Sequence, residues 1–253
     1  MPEFGIGLSE EELKRYDRQV ILPEVGEEGQ RKIKAAKVIL MGAGGLGSAA
    51  SFYLAAAGVG KIGIIDSDMV ELSNLNRQIL HKNNRIGRPK AESARQTLGD
   101  LNPNIEVVSY PVRLTPENAF DLIGEYDLVV DCSDNFPARF LMNDVCVLTG
   151  KPLIYGAIFG FEGQAMTILP GSGPCYRCLY PQPPAFSAGQ PLPVMGVLPG
   201  LIGMVQATEV LKFILDRGDL LVGKLLLYNA LTVDFLKLDI KRSPLCPACR
   251  EVS

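Results

Sequence analysis

The stretch that decides the fold is Lys37-Val-Ile-Leu-Met-Gly-Ala-Gly-Gly-Leu-Gly47. A short apolar run, Lys37 to Met41, leads directly into Gly42, Gly44 and Gly47 at the spacing G-x-G-x-x-G. Ser48 to Ala57 is rich in helix formers and stops at Gly58. Lys61 to Ile65 is a second apolar run, closed by Asp66. Strand, glycine turn, helix and strand make a βαβ unit. Gly42 permits the tight turn, Gly44 lets backbone approach a phosphate, and Gly47 lets the helix pack on the strand. The helix N-terminus adds N–H groups and a partial positive charge that suit an anion. Asp66 stands 24 residues after Gly42, where a carboxylate can accept from ribose hydroxyls. The turn by itself does not separate a dinucleotide from ATP.

Outward from this unit the alternation continues. The pattern predicts helices over Pro89 to Leu101, Pro116 to Ile123 and Pro137 to Leu148, with Pro137 suited to a first turn. It predicts strands over Ile105 to Tyr110, Asp127 to Val130 and Pro152 to Tyr155. Such alternation implies a mainly parallel sheet with helices on both faces. Glu10 to Val20 has helical spacing within a charged lead-in of about 35 residues. After about residue 160 the pattern changes. Gln164 to Leu169, Lys224 to Asn229 and Thr232 to Ile240 read as strands, and Leu201 to Leu215 as a long apolar helix. Pro181 to Pro193 carries five prolines and is expected to be a loop.

Composition removes several function classes. The chain has 253 residues, 47% hydrophobic and 21% charged, which is a globular profile. A net charge of −3 argues against a non-specific nucleic-acid binder, which needs excess Lys and Arg against phosphate. The opening segment Ser9 to Glu12 is polar where a secretory signal has an apolar core. The longest apolar stretch, Val194 to Leu211, is interrupted by Pro199, Gln206 and Glu209, so no membrane span is expected. With one histidine, His81, and no Trp, a His-based zinc hydrolase or a Ser-His-Asp triad would rest on a single residue.

Charged residues gather downstream of the glycine turn. Arg77, Arg88 and Lys90 follow Asp66, and Arg18 lies in the lead-in. Asp131-Cys-Ser-Asp-Asn135 follows a predicted strand, at the carboxyl edge where open α/β sheets bind ligands. A triphosphate site needs several cations and a carboxylate for Mg²⁺. Asp134 also suits a plain helix N-terminal acid. Of six cysteines, four form Cys175-Tyr-Arg-Cys178 and Cys246-Pro-Ala-Cys249, separated by 67 residues. Two such knuckles complete a closed tetrahedral Cys₄ zinc shell with no open position for catalysis. A redox CxxC is the competing reading, although it usually comes singly.

Taken together, Arg18-Gln19, Gly42 to Gly47, Asp66, Ser73-Asn-Leu-Asn-Arg-Gln78, Gly87-Arg-Pro-Lys90, Asp131 to Asn135 and the two CxxC pairs resemble the ThiF/MoeB/HesA family. These are bacterial relatives of ubiquitin-activating E1 enzymes, and the resemblance runs from about residue 8 to 250. It implies an α/β, Rossmann-like, mainly parallel sheet with helices on both faces, plus a C-terminal part with antiparallel strands and a Cys₄ zinc site. The whole chain, 1–253, is expected to be one adenylation domain. It would comprise the lead-in (1–35), a nucleotide-binding half (36–160) and a carrier-binding, zinc-bearing half (161–253) with a crossover loop at 181–196. The implied activity is ATP-dependent adenylation of the C-terminal glycine carboxylate of a small ubiquitin-like sulfur carrier, MoaD- or ThiS-like, ending in Gly-Gly.

The resemblance also assigns roles. Gly42, Gly44, Gly45 and Gly47 form the phosphate turn, and Asp66 binds the ribose. Asn74, Arg77 and Lys90 contact phosphates, and Asp134 holds Mg²⁺. Asn135 borders the nucleotide. Asp68, Ser73, Leu75, Asn76 and Gln78 are counted with the same site. Arg18 reaches into the neighbouring subunit's site of a homodimer. Cys175, Cys178, Cys246 and Cys249 hold structural zinc, and His81 is structural. The chain departs from many relatives in having no cysteine in the loop after the first CxxC. The only other thiols are Cys132, at a strand end, and Cys146, on an apolar helical stripe. An enzyme thioester is therefore not expected, and with no rhodanese domain before Ser253 an external sulfur donor is. A cytoplasmic location, no nucleic acid and no membrane complete the expectation. Adenylation of another peptide C-terminus, an NAD-dependent oxidoreductase and a non-catalytic scaffold are the alternatives.

Overall fold

The computed structural model describes residues 7–182 and 193–250. In chain order its elements are α1 (Glu10–Arg15), α2 (Asp17–Val20), α3 (Gly26–Ala35), β1 (Lys37–Met41), α4 (Gly45–Ala57), β2 (Lys61–Ile65), α5 (Lys90–Leu101), β3 (Glu106–Tyr110), α6 (Pro116–Gly124), β4 (Leu128–Asp131), α7 (Phe136–Thr149), β5 (Leu153–Phe159), β6 (Glu162–Ile168), α8 (Tyr176–Leu179), α9 (Leu198–Leu215), β7 (Lys224–Asn229) and β8 (Asp234–Asp239). One eight-stranded sheet carries the order β3-β2-β1-β4-β5-β6-β7-β8. The first five strands are parallel and the last three antiparallel, as the change of pattern near residue 160 predicts.

Both faces of the sheet are buried at the central parallel strands, which explains why those strands read as apolar runs. Val38, Leu40, Ile62 and Ile64 point into a core shared with α4, α5 and α9. Ile39, Ile65, Val129 and Leu153 point the other way, into a core shared with α6 and α7. The alternation follows from the two-residue period of a strand.

The lead-in differs from a single helix. It breaks at Tyr16 (φ −100°, ψ 12°) between α1 and α2. The break sends the Tyr16 ring into the interior, where Asn102 Nδ2 donates to its hydroxyl at 2.8 Å. The expected start of α9 also moves, from Leu201 to Leu198, because Pro199 fits a first turn. Among the described residues, α9 is the one helix long and apolar enough to cross a membrane. It packs instead along α4 and the sheet: a Cβ on Gly203 would lie 2.5 Å from the Leu46 carbonyl. Its polar interruptions are buried and bonded. Gln206 Nε2 donates to the carbonyls of Asp131 (2.7 Å) and Ile154 (3.1 Å), and Glu209 Oε2 accepts from Leu221 N–H at 2.7 Å.

His81 is buried, as a structural histidine should be, and ties the glycine turn to α5. Its Nε2 lies 2.9 Å from the Ala43 carbonyl and its Nδ1 2.9 Å from Ser93 Oγ. A carbonyl only accepts, so Nε2 carries the proton and Nδ1 accepts from the serine. Burial pulls the imidazole pKa from 6.5 down to about 4, with the Lys90 and Arg85 charges acting the same way and the bond to Ala43 opposing them. The folded chain therefore keeps His81 neutral while the unfolded chain protonates it near 6.5. Its contribution to stability is complete above that pH and is lost as pH falls toward about 4. Replacing His81 by Gln, which can still donate to Ala43, should flatten the loss of unfolding free energy over that window in urea titrations. An unchanged pH slope would exclude His81 as its source.

Candidate functional site

In the strand order 3-2-1-4-5 the chain direction of construction reverses between β1 and β4, and the crevice opens at their carboxyl ends. Register makes the geometry tight. Met41 pairs with both Ile65 and Asp131, so the residues that follow all three lie at one level. Those residues are the glycine turn, Asp66 and the run Cys132 to Asn135. Gly42 has φ +108°, and a Cβ there would stand 2.7 Å from the Cys132 carbonyl. A Cβ on Gly47 would overlap the Gly42 carbonyl. Gly44 is the N-cap of α4 and offers no side chain, so the first N–H groups of that helix are left for a ligand.

Asp66 is held from both sides. Its Oδ2 accepts from Ala43 N–H at 2.8 Å and its Oδ1 from Asp68 N–H at 2.9 Å. Burial pushes its carboxyl pKa up, and those two N–H groups and Lys90 oppose the rise. Each oxygen keeps a lone pair for a further donor. Lys90, at the start of α5, is buried and its Nζ lies 2.9 Å from Asp68 Oδ2. The run Ser73 to Gln78 folds as a short 3₁₀ turn and its continuation beside the glycines. Asn74 Oδ1 accepts from Glu71 N–H at 3.1 Å. Arg77 Nη1 donates to the Ser73 carbonyl (3.0 Å) and Asn76 Oδ1 (2.9 Å). Gln78 is buried near Gly44, and its Oε1 has no partner among the described residues. An uncapped helix and two cations fit a polyanion, and the Gln78 amide oxygen, which can only accept, suits a hydroxyl or amino donor of a nucleotide.

Across the crevice, Asp134 and Asn135 are exposed. Asn135 Oδ1 caps α7 by accepting from Ala138 N–H at 3.0 Å, and its Nδ2 donates to Asp134 Oδ1 at 3.3 Å. Asp134 is therefore not the cap, and its carboxylate is left facing solvent. Beside the crevice a groove of about 790 Å³ runs past Gly45, Arg77, Val197, Leu201 and Met204.

Arg18 is not brought to this site. It lies on α2, beside the C-terminal end of α4, where Gln19 Nε2 donates to the Ala57 carbonyl at 3.0 Å. Thirteen helical residues separate that end from the glycine turn, roughly 20 Å. The Arg18 side chain is 90% exposed.

The four knuckle cysteines do converge. Their sulfurs all lie within 4.8 Å of one another, with Cys175–Cys246 and Cys178–Cys249 each at 3.5 Å. Sulfurs 2.3 Å from a tetrahedral ion stand about 3.8 Å apart, so the spacing fits a metal and not a disulfide. Cys146 is fully buried, as its stripe predicts. Cys132 is buried too, its Sγ 3.8 Å from Gln206 Oε1, and burial holds its thiol well above the ordinary range. Most of the crossover loop, residues 183–192, lies outside the described residues. Its return is pinned where Gly160 N–H donates to the Pro193 carbonyl at 2.8 Å. Arg139 and Gln206 are two buried polar groups that support the Asp131 loop; sequence reading passed over Arg139 and noted Gln206 only as an interruption of an apolar stretch. The only signal was a polar residue set among apolar ones in a helix.

The ThiF family profile matches residues 16–248. A sulfur carrier protein adenylyltransferase of Thermus thermophilus is 51% identical over 249 residues, covering 95% of this chain and 92% of that protein. The SAMP-activating enzyme E1 of Haloferax volcanii is 46% identical, covering 97% of this chain and 92% of the relative. The adenylyltransferase and sulfurtransferase MOCS3 of Sus scrofa is 46% identical, with 96% of this chain matching 54% of that protein. Among solved structures, Escherichia coli MccB with ATP superposes with a TM-score of 0.84 at 25% identity, covering 93% of this chain and 73% of that one. The ordered motifs, the crevice and these similarities agree, and the chain belongs to the ThiF family.

Proposed function

We propose that this protein uses ATP to adenylate the C-terminal carboxylate of a small ubiquitin-like sulfur-carrier protein ending in Gly-Gly. The carrying observation is the meeting of an uncapped glycine turn, a braced acid, two cations and an exposed carboxylate in one crevice. The chain around that crevice is 51% identical to a sulfur carrier protein adenylyltransferase. Gly42, Gly44, Gly45 and Gly47 leave helix N–H groups for the phosphates, and Asp66 accepts from the ribose. Arg77 and Lys90 neutralise charge on the phosphate oxygens. Mg²⁺, held by Asp134, would supply further positive charge at the phosphates. A carrier carboxylate oxygen attacks the α-phosphorus, the bond to the β-phosphate oxygen breaks, and pyrophosphate leaves. The attacking carboxylate is already ionised at neutral pH, so no general base is required. That is why His81 can be committed to structure.

The two halves of the chain, 36–160 and 161–253, act as one adenylation unit on a shared sheet. Exposed Leu231, Val233, Phe235 and Leu236 near and on β8 are the seat for the carrier. The sulfur of an external donor attacks the carbonyl of the acyl-adenylate and AMP leaves, since Cys132 and Cys146 are both buried. Four reduced thiols suit a cytoplasmic protein. Adenylation of another peptide C-terminus is the second reading. The 51% identity to a sulfur carrier protein adenylyltransferase ranks it second.

Pyrophosphate exchange into ATP tests the reading. Asp134→Ala should abolish carrier-dependent exchange with the thermal midpoint kept. Arg77→Ala and Lys90→Ala should each lower exchange on the order of 10²-fold. Full exchange in Asp134→Ala would remove that residue from the reaction, and no exchange with any Gly-Gly carrier would remove the activity.

The position of Arg18 supports a homodimer in which it acts on the partner's site, since its own lies roughly 20 Å away along α4. The apolar groove beside Gly45 and Arg77 is where a second copy would bring it. Mixed dimers of Arg18→Ala and Asp134→Ala chains should recover exchange at their one intact site. Heterodimers that form without recovery would exclude action in trans.

Zinc on Cys175, Cys178, Cys246 and Cys249 would tie two distant segments together. Metal analysis should find about one zinc per chain, and chelation should lower the thermal midpoint. Zinc-free protein of unchanged stability would refute the staple.

A further inference from the structure

The run Asp131 to Asn135 is open to solvent above and gripped by buried polar groups below. Arg139, one turn into α7, is 9% exposed. Its Nη2 donates to the Ser133 carbonyl at 2.8 Å, and its Nε lies 3.8 Å from Asp131 Oδ2. Asp131, 1% exposed, returns the hold: its Oδ1 accepts from Ser133 N–H (2.9 Å) and Ser133 Oγ (2.6 Å). The guanidinium lies over the rings of Phe136 and Tyr155, 5.6 Å from each centroid. The helix that carries it is fixed farther along by the first cysteine knuckle. Tyr176 N–H donates to Asn143 Oδ1 at 2.8 Å, and Arg177 forks onto Asp144 at 2.7 and 2.6 Å.

A buried ion pair is a poor device for stability alone, because well-packed apolar residues in its place often do better. What this pair does is geometric. Ser133 immediately precedes Asp134, so fixing the Ser133 amide and carbonyl together fixes the direction in which the Asp134 carboxylate leaves the chain. We propose that Arg139, paired with Asp131, is a positioning residue that aims Asp134 at the metal of the bound nucleotide without touching the nucleotide itself. This rests on the reading of Asp134 as the Mg²⁺ carboxylate.

The probe is ATP binding by calorimetry, with Mg²⁺ and in Mg²⁺-free buffer, which needs no carrier. The ratio of the two affinities reports the coupling of metal to nucleotide. Arg139→Gln strands a buried carboxylate, so Arg139→Gln/Asp131→Asn, which buries no charge, and Arg139→Lys, which keeps the charge without the planar guanidinium, are measured beside it. In the folded variants the Mg²⁺ enhancement should shrink on the order of tenfold, least in Arg139→Lys, while Mg²⁺-free affinity stays as in wild type. An unchanged enhancement, or an equal fall in both affinities, overturns the inference and leaves Arg139 a packing residue. Asp134→Ala separates the two claims. Wild-type enhancement in Asp134→Ala defeats the underlying reading, whereas loss there with none in the Arg139 variants defeats this inference alone.

Discussion

The crevice exists because two stretches of backbone touch. Gly42 turns out of β1 at φ +108° with the Cys132 carbonyl standing where its side chain would be. Any larger residue would have to push β1 and β4 apart at their carboxyl ends. That would separate the glycine turn from the Asp131 loop, the two walls of the site. The same contact sets the level at which Asp66 emerges from β2, through the register of Met41 with Ile65 and Asp131. From behind, Gln206 secures the junction by donating to the carbonyls that end β4 and run through β5. The long apolar helix α9 therefore serves the site through one buried amide.

Around this contact the charges are prepared in advance. Asp66 and Asp131 are buried carboxylates, and both are oriented by backbone N–H groups before any ligand arrives. Lys90 and Arg139 are buried cations, each beside one acid. Burial raises the cost of each charge, and the fixed donors and partners offset it. Groups held this way need no reorganisation when charge develops on a phosphate. Asp134 and Arg77 are left more open, at the side where a nucleotide enters.

The C-terminal half reverses the construction. Three antiparallel strands continue the sheet and end in β8, whose apolar residues Phe235 and Leu236 face water. The two knuckles clamp this half back onto α7, because the segment between the knuckle cysteines also binds Asn143 and Asp144. Fold, clamp and crevice thus share one helix.

By itself the sequence determined the βαβ start, the parallel-then-antiparallel order, and the glycines, acids and cations of the crevice. These are local signals: a period of two or 3.6, a fixed spacing, a residue type that chemistry requires. It determined the pairing of the cysteines into one cluster for the same reason. Only the tertiary structure decided that the lead-in breaks at Tyr16, since that depends on Asn102 waiting in the interior. Only it set Arg18 at the far end of α4 from its own subunit's crevice, which follows from how the lead-in docks on Ala57. And only it gave Arg139 and Gln206 their partners, because a buried polar side chain is defined by what the fold places against it, and nothing in the neighbouring residues records that.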